Sequence, residues 1–258
     1  MENVAENDQI VEKKLGIPAD YQYTALFHGG MFQRQWHRNR LLLIKEVFYS
    51  SADAEKTYCD VGCGSGNVIL VFNKRVKRFD AFDYNEECLA FLDEKLKEGS
   101  IQNVKTRLWN ILTPPPAEVQ GQYDKVILNE VIEHFHRDEI STILDNVKML
   151  LKEDGELLIT TPNCGISPWF LLEFAVDHLG LFPKLWGEQH KVRITSRTFR
   201  EMCEHEGFDV LREGTFSFVS PFFIVFGRSV ADFVAKLEIR YFKYFGAQLY
   251  IKVKKKKA

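Results

Sequence analysis

Asp60-Val61-Gly62-Cys63-Gly64-Ser65-Gly66-Asn67 is the stretch that decides how this chain folds. It follows a short apolar run, Thr57 to Val61, and opens a helical pattern. Gly62, Gly64 and Gly66 form G-x-G-x-G, whereas a dinucleotide-binding turn reads G-x-G-x-x-G and would place glycine at Asn67. That further glycine lets a helix N-terminus approach a pyrophosphate, so the turn here suits a ligand without one. A second apolar run, Phe79 to Asp83, ends in a carboxylate where ribose hydroxyls would be held.

Working outward, short apolar runs alternate with helical patterns. Val104 to Ile111, Lys125 to Asn129 and Glu156 to Thr160 read as further strands. Met31 to Tyr49, Glu86 to Glu98 and Asp138 to Leu151 read as helices. Asp209 to Phe218 and Ala247 to Lys254 complete seven strands. The expectation is an α/β fold, a doubly wound and mostly parallel seven-stranded sheet, with residues 1–30 as a loosely packed N-terminal arm and 31–258 as one domain. In such sheets ligands bind where the strands end at their carboxyl termini.

Composition agrees. The 258 residues are 45% hydrophobic and 27% charged, which excludes a disordered, collagenous or disulfide-scaffold chain. The formal net charge of −2 gives no electrostatic case for bulk nucleic-acid binding. Five cysteines without a C-x-x-C pair read as reduced thiols in a cytoplasmic setting. Met1 to Gln9 is acidic and polar, unlike a secretory signal, and no stretch is apolar enough to predict a membrane span.

The acidic residue followed by G-x-G-x-G, with Asp83 after strand two, resembles the first motifs of class I S-adenosylmethionine-dependent methyltransferases. The resemblance covers about Lys56 to Lys254 and implies S-adenosyl-L-methionine as cofactor. It implies that Asp60, Gly62, Gly64 and Gly66 surround the methionine moiety and that Asp83 holds the ribose. Asn110, where many members carry Asp, would lie beside the adenine, and Asn129 would border the cofactor.

Fourth-strand Asn129 runs into Glu130-Val131-Ile132-Glu133-His134, which would put Glu130, Glu133 and His134 on one face of a helix. Two carboxylates and an imidazole so placed call for compensation, and a divalent cation, Mg or Zn, supplies it with His190 as fourth ligand. The same pattern, with Thr161-Pro162-Asn163 after strand five, resembles ubiquinone-biosynthesis O-methyltransferases and small-RNA 3′-terminal 2′-O-methyltransferases. In the RNA group these positions bind a metal. A metal-free site, capped and oriented by Glu133 and His134 with His134 as the base, is the other reading. Favoured is O-methylation of a small or lipophilic hydroxylated acceptor. RNA 2′-O-methylation and a non-catalytic binding protein are the alternatives.

Two segments exceed the minimal fold, Gly165 to Val192 and Pro221 to Phe245. In the second, Arg228, Asp232, Lys236, Arg240 and Lys243 form a charged stripe and the rest is rich in Phe and Tyr. Both are expected to lie over the sheet's carboxyl rim. They would offer a greasy mouth, a partner or dimer contact, or peripheral membrane contact aided by Lys254 to Lys257. The basic stretch Arg34 to Arg40 would start a helix laid across the cofactor, bringing Trp36 or His37 to the substrate.

Overall fold

The computed structural model describes residues 18–165 and 191–256. Seven strands form one sheet: β1 (Thr57–Val61), β2 (Arg78–Asp83), β3 (Val104–Leu108), β4 (Tyr123–Asn129), β5 (Leu151–Pro162), β6 (Phe208–Phe216) and β7 (Gln248–Lys255). Their order is β3-β2-β1-β4-β5-β7-β6. All pairings from β3 to β5 are parallel, and β7 runs antiparallel to both β5 and β6. The order reverses between β1 and β4, so the loops after these two strands flank a natural ligand crevice.

The central strands are apolar on both faces, as a doubly covered sheet requires. In β4, Val126 and Leu128 join one buried cluster with Ile143 and Val147 of α5 (Arg137–Leu150) and Phe199 of α6 (Ser196–His205). Ile127 points the other way, into a cluster with Leu43 of α2 (Met31–Leu43), Ile69 of α3 (Asn67–Phe72), Leu92 of α4 (Glu86–Glu98) and Ile239 of α7 (Arg228–Tyr241). This is the period-two alternation of a strand. The helix expected over Met31 to Tyr49 is α2 followed by a wider π-type turn, Ile44–Phe48. Asn85 caps α4 by accepting from the N–H groups of Glu87 and Cys88. Among the described residues, no two cysteines form a disulfide. Among the described residues, no helix is long and apolar enough to cross a membrane.

Two expectations need correction. The described part of the arm is not loose: α1 (Tyr21–Phe27) and the turn before it pack on the glycine loop. Ser65 Oγ donates to Ala19 O at 2.8 Å, and Asn67 Nδ2 donates to Gln22 O at 2.8 Å. The lysine run is also misplaced. Antiparallel pairing sets Lys254 against Glu156 at the start of the paired run of β5, so Lys254 and Lys255 lie at the end of the sheet opposite the glycine loop. They cannot steady a mouth at the carboxyl rim.

α7 is clamped to α2 through Asp232 of its charged stripe. Arg38 binds Asp232 with two bonds, Nε to Oδ1 at 2.7 Å and Nη2 to Oδ2 at 2.6 Å, and Gln35 adds a third at 3.2 Å. Burial alone would raise the Asp232 carboxyl, but these hydrogen bonds hold it below the ordinary range. A depressed carboxyl contributes stability that is present above the unfolded pKa, about 4, and lost as pH falls through the folded value. Asp232→Asn is therefore expected to cost about 1–2 kcal/mol at pH 7, a figure discounted for partial exposure. The difference from wild type should close toward pH 3 in urea titrations run across pH. A constant difference at all pH values would refute the clamp.

Candidate active site

The glycine loop is shaped by backbone conformations that suit glycine. Gly62, Gly64 and Gly66 have φ of 70°, 50° and 76°. A Cβ on Gly62 would meet Val131 Cγ2 at 2.6 Å, and one on Gly66 would meet Leu92 Cδ1 at 2.4 Å. The first contact sets the loop after β4 directly against the loop after β1. Asp83 braces the turn from β2: Oδ2 accepts from Gly64 N–H at 2.8 Å and Oδ1 from Asn85 N–H at 2.9 Å.

A pocket opens where α2 crosses this loop, lined among others by His37, Arg40, Asp60, Gly62, Asn67 and Asn129. The expected helix across the site is thus present, and His37, not Trp36, is among the residues lining it. Burial, with a smaller push from Arg40, lowers the His37 imidazole to about 3, so it is neutral at physiological pH. Asp60 is buried, and desolvation, with the nearby Asp83 charge, pushes its carboxyl up to about 8. Three groups in this pocket are buried without a hydrogen-bond partner: Asp60 Oδ1, Asn67 Oδ1 and Arg40 Nε. Two acceptors and one cationic donor match a zwitterionic amino-acid head, an ammonium against the oxygens and a carboxylate against the guanidinium. The residues therefore fit the methionine end of an adenosyl cofactor.

Other assigned residues divide. Asn129 lines the pocket, and its Oδ1 accepts from Thr160 Oγ1 at 3.0 Å. Asn110 turns inward on its own loop, its Oδ1 accepting from Leu112 N–H at 3.0 Å. Its side-chain oxygen therefore already serves that turn.

The Glu130–His134 segment does not form the expected helical face. Glu130 has φ of 59°, and only Ile132–His134 makes a single 3₁₀ turn. Glu130 Oε2 is held by Arg40 Nη2 at 3.0 Å and Gln248 Nε2 at 2.8 Å. Glu133 is buried, accepting from Thr161 Oγ1 at 3.2 Å, while His134 is exposed. Burial, and then the Glu130 charge, push the Glu133 carboxyl well above the usual carboxylate range. Among the described residues, no three His, Cys, Asp or Glu side chains are grouped to hold a metal ion. His190 lies outside the described residues, so Glu130, Glu133 and His134 are all that is described of the proposed ligand set. The left-handed turn at Glu130 breaks the common helical face, while the Glu130 charge still acts on Glu133.

Gln22, Arg40 and Gln248 were not singled out from the sequence. Arg40 carried a signal, since it falls one helical turn after His37 on α2. Gln22 and Gln248 carried none, because an isolated Gln has no chemistry-specific spacing.

The sheet order and the glycine loop define the class I S-adenosylmethionine-dependent methyltransferase fold. The chain belongs to the methyltransferase-domain family, whose model matches residues 32–213. The probable S-adenosyl-L-methionine-dependent methyltransferase TehB of Haemophilus influenzae is 29% identical over 145 residues, covering 51% of this chain and 49% of TehB. The chain thus spans about half the length of that relative. Among solved structures, magnesium protoporphyrin IX methyltransferase from Synechocystis PCC 6803, with bound SAH, superposes with a TM-score of 0.63 at 15% identity. It matches over 96% of this chain and 97% of that one. The 1,6-didemethyltoxoflavin-N1-methyltransferase of Burkholderia thailandensis gives 0.61 at 12% identity, over 100% of this chain and 92% of that one. Identities this low speak to the fold.

Proposed function

We propose that the protein is an S-adenosylmethionine-dependent methyltransferase that methylates a hydroxyl on a small or lipophilic acceptor. The observation that carries the cofactor reading is the trio of unpartnered buried groups, Asp60 Oδ1, Asn67 Oδ1 and Arg40 Nε, in one pocket against the glycine loop. The cofactor supplies an electrophilic sulfonium methyl, and the chain aligns the acceptor and removes its proton. Glu133 suits that second task. Burial and the Glu130 charge raise its carboxyl, and it follows β4 two residues after Val131, whose side chain packs against Gly62. The basic stretch does not favour RNA, because Arg38 and Arg40 are engaged by Asp232 and Glu130.

Binding should couple to the Asp60 proton. An ammonium placed at Asp60 favours its carboxylate, so affinity for S-adenosylhomocysteine is expected to rise several-fold from pH 6 to 8. In Asp60→Asn that rise should be absent. Calorimetry across pH checks both, and an unchanged pH dependence in the variant would dispose of the coupling.

The acceptor is tested by methyl transfer from labelled S-adenosylmethionine to catechols, polyprenylated phenols, amines and short RNA. Transfer to a phenolic hydroxyl is expected, with Glu133→Gln lowering kcat by roughly 10²–10⁴-fold while leaving cofactor affinity unchanged. Transfer to RNA alone would contradict the small-acceptor reading, and transfer to amines alone the hydroxyl reading.

A further inference from the structure

α7 buries its small residues and exposes its large ones. Ala231, Ala235 and Ile239 face the protein, whereas Phe233 is 61% and Tyr241 64% exposed. Val230, Phe233, Leu237 and Tyr241 recur three or four residues apart and make one outward stripe. The preceding turn, Phe222–Phe226, has no buried residue, and Phe226 is 71% exposed. The ridge continues across Phe222 to Phe32 of α2, their rings 6.0 Å apart, and so borders the helix that covers the pocket. Packing alone would have turned such a helix over, since its aromatic side chains would bury far more apolar area than its alanines. A patch of this kind marks an interaction surface.

Charge selects the partner. Within residues 221–245 the exposed charged side chains are Arg228, Lys236, Arg240 and Lys243, all basic. The two acids there are withdrawn: Asp232 is bound by Arg38, and Glu238 is buried. This one-signed rim stands out in a chain whose net charge is −2. A second copy is disfavoured because a two-fold contact through this ridge would bring the like-charged rims together. Exposed aromatics beside Arg228, Arg240 and Lys243, with Lys236 alone of the rim paired to an exposed acid, Glu46, match the headgroup layer of an anionic bilayer.

We propose that the surface formed by Phe222–Phe226 and the outer face of α7 docks the protein on anionic membrane. The aromatics enter the headgroup layer and the basic rim meets lipid phosphate. The contact depends neither on the methyl acceptor nor on the Lys254–Lys257 run.

The test is flotation of the full chain with phosphatidylcholine vesicles, with and without phosphatidylglycerol. Two variants are compared, Phe226→Ser/Phe233→Ser/Tyr241→Ser and Arg228→Glu/Arg240→Glu/Lys243→Glu. All six positions are exposed, and retained thermal unfolding temperature reports that each variant folds. Wild type is expected to float with the anionic vesicles and to be released as salt rises, and each variant to lose at least tenfold in bound fraction. Three results would overturn the proposal: no flotation of wild type with anionic vesicles, equal flotation of the variants, or a wild-type dimer that the aromatic variant converts to monomer.

Discussion

Asp83→Ala is expected to weaken S-adenosylhomocysteine binding roughly 5- to 150-fold, the equivalent of about 1–3 kcal/mol for unpairing buried polar groups. Two effects add. The ribose hydroxyls lose their acceptor, and the turn loses the two bonds to Gly64 N–H and Asn85 N–H that set its shape. Asp83→Asn separates them. The amide keeps one acceptor oxygen, so it should preserve part of the brace and fall between wild type and alanine. Calorimetry on the three proteins reads the order directly. Equal affinities would show that Asp83 braces a loop that holds no ribose.

Glu238→Ala should be the most destabilising single change outside the sheet. The carboxylate is buried and accepts from three backbone N–H groups: Phe218 at 3.0 Å, Val219 at 2.7 Å and Ser220 at 2.7 Å. The Ser220 hydroxyl adds a fourth bond at 2.6 Å. Removing it strands those donors next to Asn39, which itself binds the hydroxyls of Ser217 and Ser220 from α2. At about 1–3 kcal/mol for each unsatisfied buried group, partly relieved by water, a loss of about 3 kcal/mol or more is expected. That corresponds to a fall in Tm of roughly 6–12 °C for a domain of this size. A fall under about 2 °C would mean the turn finds other partners. The turn joins α2 to α7, so the variant should also weaken cofactor binding through His37 and Arg40 on α2.

The sheet was legible because its signals are local. Strands β1 and β2 end at Val61 and Asp83 as read, and the alternation of runs and helices marks the parallel βαβ units of the sheet. The glycine loop and its acidic partners were legible for the same reason, since positive φ demands glycine at fixed offsets. What escaped was set by long-range packing. Helical spacing from Glu130 to His134 was broken by a left-handed residue that no pattern of side chains announces. The spacing of the charged stripe of α7 did not name its partners, and Asp232 and Lys236 turn to Arg38 and Glu46 on the α2 side. Lys125 sat unnoticed in a buried strand run, where its ammonium is taken up by Asp53 at 2.8 Å and by the Phe48 carbonyl. Gln22 reaches the loop only because α1 folds back on it, a tertiary fact with no periodicity of its own.

A crystal structure of the full chain with S-adenosylhomocysteine tests the central claim most directly. The amino-acid end should lie between Asp60, Asn67 and Arg40, its ammonium within hydrogen-bond distance of Asp60 Oδ1, and the ribose hydroxyls should meet Asp83. Crystals grown at saturating ligand with this pocket empty, or with the molecule reversed so that adenine meets Asp60, would contradict it.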